Sequence, residues 1–261
     1  MATASKSIYK LHKQMPNKLW LAVLITVFFA AMYRPDPLLA QTLNTSITPD
    51  IGTILQSPLR LDKDLSQDAT RKPIDLLKFS QVKPGWQVMD IYCGGGYTTQ
   101  LMALAVTASG KVYAQMDKPS KSLQERLTLH PQSNIDFIQR PMDDLIPPEL
   151  PKLDLVTLIY SYHDIANMPI DRLKMDRKIY DSLRSGGIFV IIDHSAEDGS
   201  GLRDTNTLHR IDKAQVIKDF LNVGFKLDLE GEFLKNPADA RIEVSTKMAQ
   251  QADGFALRFK K

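Results

Sequence analysis

An α/β fold, with a mostly parallel sheet covered by helices on both faces, is predicted by three features of this sequence. Apolar runs of strand length alternate with amphipathic runs of helix length, a glycine-rich turn follows the first strand, and no internal repeat interrupts the order. The first strand is expected from Gln87 to Tyr92, where QVMDIY ends in the glycine run. KVYAQ (Lys111 to Gln115) and IDFIQ (Ile135 to Gln139) are the second and third. The long apolar run Leu153 to Tyr160 and the run Ile188 to Asp193 are the fourth and fifth, with Phe225 to Phe233 and Phe255 to Phe259 following. Helices are expected between them: Pro73 to Phe79, opened by a proline suited to a first helical turn, then Thr98 to Ala108, Ser120 to Leu129, Met168 to Leu183 and Lys213 to Val223. In such sheets ligands bind beyond the carboxyl ends of the strands, so the loops after each strand are where function is to be sought.

The 261 residues are 43% apolar and 24% charged, within the range of a folded protein, which excludes disorder and a polytopic membrane protein. Lys6, Lys10, Lys13 and Lys18 precede fifteen uncharged, mostly apolar residues, Leu19 to Tyr33, which Arg34-Pro35-Asp36-Pro37 ends. As a helix that run spans about 22 Å against a hydrocarbon core of roughly 30 Å, so it reads as a secretory signal peptide or N-terminal anchor over residues 1–40. Either places the rest of the chain outside the cytoplasm, periplasmic or extracytoplasmic, with membrane contact only through this segment. Residues 41–60, polar and turn-rich, are expected to be a linker, and 61–261 a single domain. Beyond residue 40 the chain carries 28 basic against 29 acidic groups, which offers no excess charge for a nucleic-acid partner. The lone cysteine, Cys93, excludes an intramolecular disulfide.

Asp90-Ile91-Tyr92-Cys93-Gly94-Gly95-Gly96-Tyr97-Thr98 lies between a predicted strand and a predicted helix, the setting in which a glycine run means ligand binding. Glycine removes side chains so that a ligand rests on backbone, and a helix start offers free N–H groups. Position 99 is threonine where a dinucleotide fingerprint requires Gly or Ala, so an NAD site is not met.

Here the sequence resembles the class I S-adenosylmethionine-dependent methyltransferases, and within them a group of exported bacterial methyltransferases known by prediction. The resemblance rests on VMDIYCGGGYTTQLMA, GKVYAQMDKP, LVTLIYSYHD, LRSGGIFVIIDHSAEDGSG, and LHRID with the later NVGFKL. It implies a Rossmann-like seven-stranded sheet whose last strand inserts antiparallel beside the fifth, and S-adenosylmethionine as cofactor. Asp90, Gly94 and Gly96 would border its methionine and ribose, with Tyr92, Cys93 and Gly95 completing the loop. Tyr92 replaces the family's first loop glycine. The ribose-binding acid falls on Met116 with Asp117 one place later, and the polar residue near the adenine falls on Pro141, with Asp143 nearest.

Of five histidines, three fall at the same edge: His163 after the fourth strand, His194 after the fifth, and His209 before the helix at Lys213. Neighbouring strands lie about 4.8 Å apart, which lets His163 and His194 face one site. Asp164 and Asp193 are adjacent carboxylates and Tyr162 adds a phenol. A histidine suits removal of a proton from a small-molecule methyl acceptor, and His163, His194, Asp164, Tyr162 and His209 are the candidate catalytic residues. Their spacings match no strong metal-ligand motif, so no metal ligand is assigned. Two other readings remain open: a noncatalytic exported small-molecule-binding module, and a metal-dependent enzyme using His163 and His194.

Overall fold

The computed structural model describes residues 49–261, and the apolar run from Leu19 to Tyr33 lies outside them. Three helices come first: α1 (Ile51–Leu55), α2 (Asp62–Arg71) and α3 (Pro73–Ser80). They lead into β1 (Gln87–Ile91), α4 (Tyr97–Val106), β2 (Lys111–Met116), α5 (Lys121–Leu129) and β3 (Ile135–Gln139). β4 (Leu153–Ile159), α6 (Tyr162–Ile165), α7 (Arg172–Ser182), β5 (Leu183–His194), α8 (Lys213–Asn222), β6 (Lys226–Gly231) and β7 (Gly254–Lys260) complete the chain. The seven strands form one sheet in the order β3-β2-β1-β4-β5-β7-β6, all parallel except β7, which runs antiparallel between β5 and β6. Strand order reverses between β1 and β4, so a crevice opens above their carboxyl ends.

Alternation along each strand divides the core into two layers. Met89, Val156, Ile191 and Phe259 face one side with Ile179 of α7 and Phe220 of α8; Val88, Leu155, Val190 and Ala256 face the other with Leu77 of α3 and Leu101 of α4. Burial on both faces explains why the second half of β5, Ile188 to Ile192, reads as an unbroken apolar run rather than an alternating one. Burying each such large side chain contributes about 1.5–3 kcal/mol. Among the described residues no helix is long and apolar enough to cross a membrane.

Three expectations need correction. Residues 49–60 are not a free linker: Asp50 caps α1 through the Gly52 amide, and Ile54 is buried in the core. The helix expected from Met168 to Leu183 starts later, at Arg172, because Pro169 interrupts the chain and Asp171 caps the start by accepting from the Lys174 amide, and the short α6 before it was not expected. Helix α2, missed in the sequence, carries Asp64, which accepts two 2.7 Å bonds from Arg126 of α5 with both side chains buried. The same guanidinium donates from Nε to the Gly95 carbonyl, so one arginine ties α2 to the glycine loop.

Candidate active site

The crevice is bordered by the residues that leave β1 and β4. Tyr92 and Tyr160 both have left-handed backbones, with φ of 51° and 55°. Such a conformation costs a tyrosine about 1–3 kcal/mol and persists where the surroundings impose it. Tyr92 is held by its amide, which donates to Gln115 Oε1, and Tyr160 by its amide, which donates to the Ile192 carbonyl.

The three glycines of the loop do different work. Gly96 (φ 78°) begins α4, and an added Cβ would lie 2.8 Å from Leu123 and 3.0 Å from Arg126 Nε, so packing requires glycine there. At Gly95 the same atom would sit 3.2 Å from Ser122 Oγ. Gly94 (φ 56°) has no atom within 4 Å of that position. Its open face is therefore not filled by the Tyr92 ring, which packs instead against the core layer containing Met89. Gly94 is bare main chain available to a ligand.

Asp90, expected to border the cofactor's methionine and ribose, has its side chain taken up by protein partners. It is buried and accepts from the hydroxyls of Thr99 at 2.6 Å and Thr157 at 2.8 Å, locking β1 to α4 and β4 beneath the loop. Burial raises its pKa to about 6, against the pull of those two hydroxyls. Cys93 has its thiol pKa raised, chiefly by burial, so it is no thiolate nucleophile. Met116 is half-buried at the end of β2, while Asp117 beyond it and Asp143 after β3 are exposed. Gln115, missed in the sequence, is buried and also donates from Nε2 to the Arg140 carbonyl, joining the ends of β1, β2 and β3. A glutamine inside an apolar strand was the signal. The open backbone at Gly94 lies beside the segment after β2, where Ser120 Oγ donates to the Gly94 carbonyl, and unfilled main chain of this kind suits a ligand such as an adenosyl sulfonium.

Above β4 and β5 lies a cavity of about 560 Å³ whose lining includes Arg71, Tyr160, His163, Asp164, His194 and His209. The structure thus joins all three histidines, with the His163 ring 6.1 Å from His194 and 5.5 Å from His209. Asp193, fully buried, meets the ring of His163 rather than that of its sequence neighbour: Oδ1 lies 2.6 Å from His163 Nδ1, and Oδ2 accepts from the His163 amide. Burial alone would lower the His163 pKa, but the bond to Asp193 and the charges of Asp193 and Asp164 outweigh it and the net shift is upward. His194 stacks on Tyr160 at 4.6 Å and its Nδ1 is buried without a partner. Burial lowers its pKa to about 4, which keeps the ring neutral near pH 7.

Tyr162 does not belong to the cavity. Its ring is in the core and its hydroxyl lies 2.9 Å from Asp176 and 3.1 Å from Asp219, so its role is to hold α6 against α7 and α8. Arg71 lies over Tyr97 at 4.9 Å and Tyr160 at 5.6 Å, at the border of the cavity. A second cavity, about 920 Å³, lies beside the segment before β7, but its charges are already matched: Arg241 to Asp198 and Asp253, and Arg203 to Glu197.

A model of the ubiE/COQ5 methyltransferase family matches residues 66–211, and no curated protein matches the chain. Among solved structures the fold is similar to a SAM-dependent methyltransferase from Aquifex aeolicus, with TM-score 0.55 and 16% identity over 81% of this chain and 98% of that one. It is also similar to an S-adenosylmethionine-dependent methyltransferase from Mesorhizobium loti, with TM-score 0.52 and 18% identity over 72% and 96% of the two chains. The [4+2]-cyclase SpnF shares the fold as well, with TM-score 0.56 and 14% identity over 79% of this chain and 84% of that one. Architecture by itself therefore leaves the reaction open.

Proposed function

We propose, from the premise that this chain belongs to the ubiE/COQ5 methyltransferase family, that it methylates a small molecule bound in the cavity above β4 and β5. The chain is an S-adenosylmethionine-dependent methyltransferase by family. The observation that carries the acceptor assignment is the cavity of about 560 Å³ at the histidine cluster, within the usual range for small ligands.

The cofactor supplies a methyl carbon activated by sulfonium charge, so the reaction asks the protein for alignment and for removal of the acceptor's proton. Gly94 would offer main chain to the cofactor's methionine, and Met116, Asp117 and Asp143 are the residues that would hold its ribose and adenine. His163 is oriented by Asp193 so that Nε2 turns toward Asp164, and with His209 these groups meet the acceptor's heteroatom and draw off its proton. The rings of Tyr160 and His194 form the adjoining wall.

Methyl-labelled cofactor supplied with small hydroxyl, thiol and amine acceptors tests this directly. The expected result is label on a small acceptor, lost in His163→Ala; label only on protein or nucleic acid would refute it. We further assign the chain to the exported subgroup, supported by the four lysines before Leu19 to Tyr33. An alkaline phosphatase fusion after residue 60 is expected to be active, and an inactive fusion refutes export.

A further inference from the structure

We propose that His163, Asp164 and His209 form a binding site for a divalent transition metal, with Asp193 as the carboxylate that orients His163. One donor atom from each of the three lies within 4.8 Å of the others. His163 Nε2 is 3.3 Å from Asp164 Oδ1, and His209 Nδ1 is 3.1 Å from that same oxygen. Two ligands of a tetrahedral ion with bonds of about 2.0–2.1 Å stand roughly 3.3 Å apart, so these spacings suit a shared cation.

His163 Nδ1 faces Asp193 at 2.6 Å, which leaves Nε2 turned toward the Asp164 carboxylate. The 3.3 Å approach of His163 Nε2 to Asp164 matches the spacing of two ligands on one ion, while His209 Nδ1 meets the same carboxylate oxygen at hydrogen-bond distance. A histidine ligand whose other nitrogen donates to a buried carboxylate is the usual outer support of imidazole metal sites. His209 is held at a left-handed φ of 50° while its ring remains beside Asp164. Two imidazoles and one carboxylate suit zinc or iron(II) and not magnesium, and the cavity leaves a fourth position free for acceptor or water.

This rests on the acceptor reading above for the metal's role and replaces one part of it: with a cation on the three donors they no longer take the acceptor's proton, and the cation instead faces the acceptor's heteroatom and eases loss of that proton to solvent. The test uses tag-free full-length chain, stripped with chelator and titrated with zinc alone by calorimetry. One equivalent is expected to bind, at least tenfold more weakly in His209→Ala, where a half-exposed side chain is removed, and about 10–100-fold more weakly in Asp193→Asn. Magnesium is expected to give no saturable heat. Absence of zinc binding, or zinc binding untouched by His209→Ala, overturns the proposal. Cofactor titration of the same stripped sample separates the two readings: cofactor bound without zinc overturns the metal site alone, and zinc bound in the proposed manner without cofactor supports the metal site while overturning the acceptor reading.

Discussion

His163 and Asp193 stand thirty positions apart in the chain, yet their Nδ1 and Oδ1 atoms meet at 2.6 Å where β5 ends beside α6. Asp193 also accepts from the amides of His163 and His194, so the carboxylate fixes both the ring and the backbone that carries it. Asp193→Asn keeps the shape but offers the ring an amide. Methyl transfer is expected to fall about 100-fold with cofactor affinity unchanged, measured by turnover alongside a cofactor binding isotherm.

The glycine loop predicts a contrast between neighbours. Gly94→Ala carries a left-handed backbone penalty of about 1–2 kcal/mol, but meets open space and should leave the fold intact while weakening cofactor binding at least tenfold. Gly96→Ala adds a clash with Leu123 and Arg126, and is expected to cost about 3 kcal/mol or more in urea unfolding. Equal stability of the two variants would contradict this division of labour.

The buried Arg126–Asp64 pair joins α2 to α5 and braces the Gly95 carbonyl. Asp64→Ala leaves a guanidinium buried and unpaired, and should cost about 3–5 kcal/mol in denaturant unfolding. Replacing both residues with apolar ones is expected to recover much of that loss.

Asp176 makes stability depend on pH. Burial is the main cause that raises its pKa to about 7, helped by the charges of Asp219 and Asp171 and opposed by the Tyr162 hydroxyl and Arg172. The folded state therefore holds a proton that the unfolded state, with a carboxyl near 3.8, releases. The destabilisation is absent at low pH, grows as pH rises between the two values and is complete above about 7. Asp176→Asn is expected to be more stable than the parent at pH 8, by on the order of 2–4 kcal/mol, and to flatten the stability profile across that window. Thermal melts at pH 5 and pH 8 check the sign.

The strands and their order were legible because burial on two faces writes long apolar runs, as in Ile188 to Ile192, and because a glycine run after β1 marks a sheet rim. Helices α1 and α2 were not, since α2 is rich in charge and is fixed by Arg126 from a distant part of the chain. The histidine cluster was visible as three residues following strand ends or preceding a helix. Its wiring was not: adjacency paired Asp193 with His194, whereas the α6 turn swings His163 over that carboxylate. Tyr162 shows the same effect in reverse, because one further step around that turn points its phenol into the core. Asp90 likewise looked available until its two hydroxyl partners, Thr99 and Thr157, came in from other elements.

Calorimetric titration of the purified chain with S-adenosylmethionine bears most directly on the whole account, because everything proposed for the cavity assumes a cofactor lying on the backbone at Gly94. Saturable one-to-one binding that Gly94→Ala weakens is the predicted result. No heat up to millimolar cofactor, or binding that Gly94→Ala leaves unchanged, would contradict it.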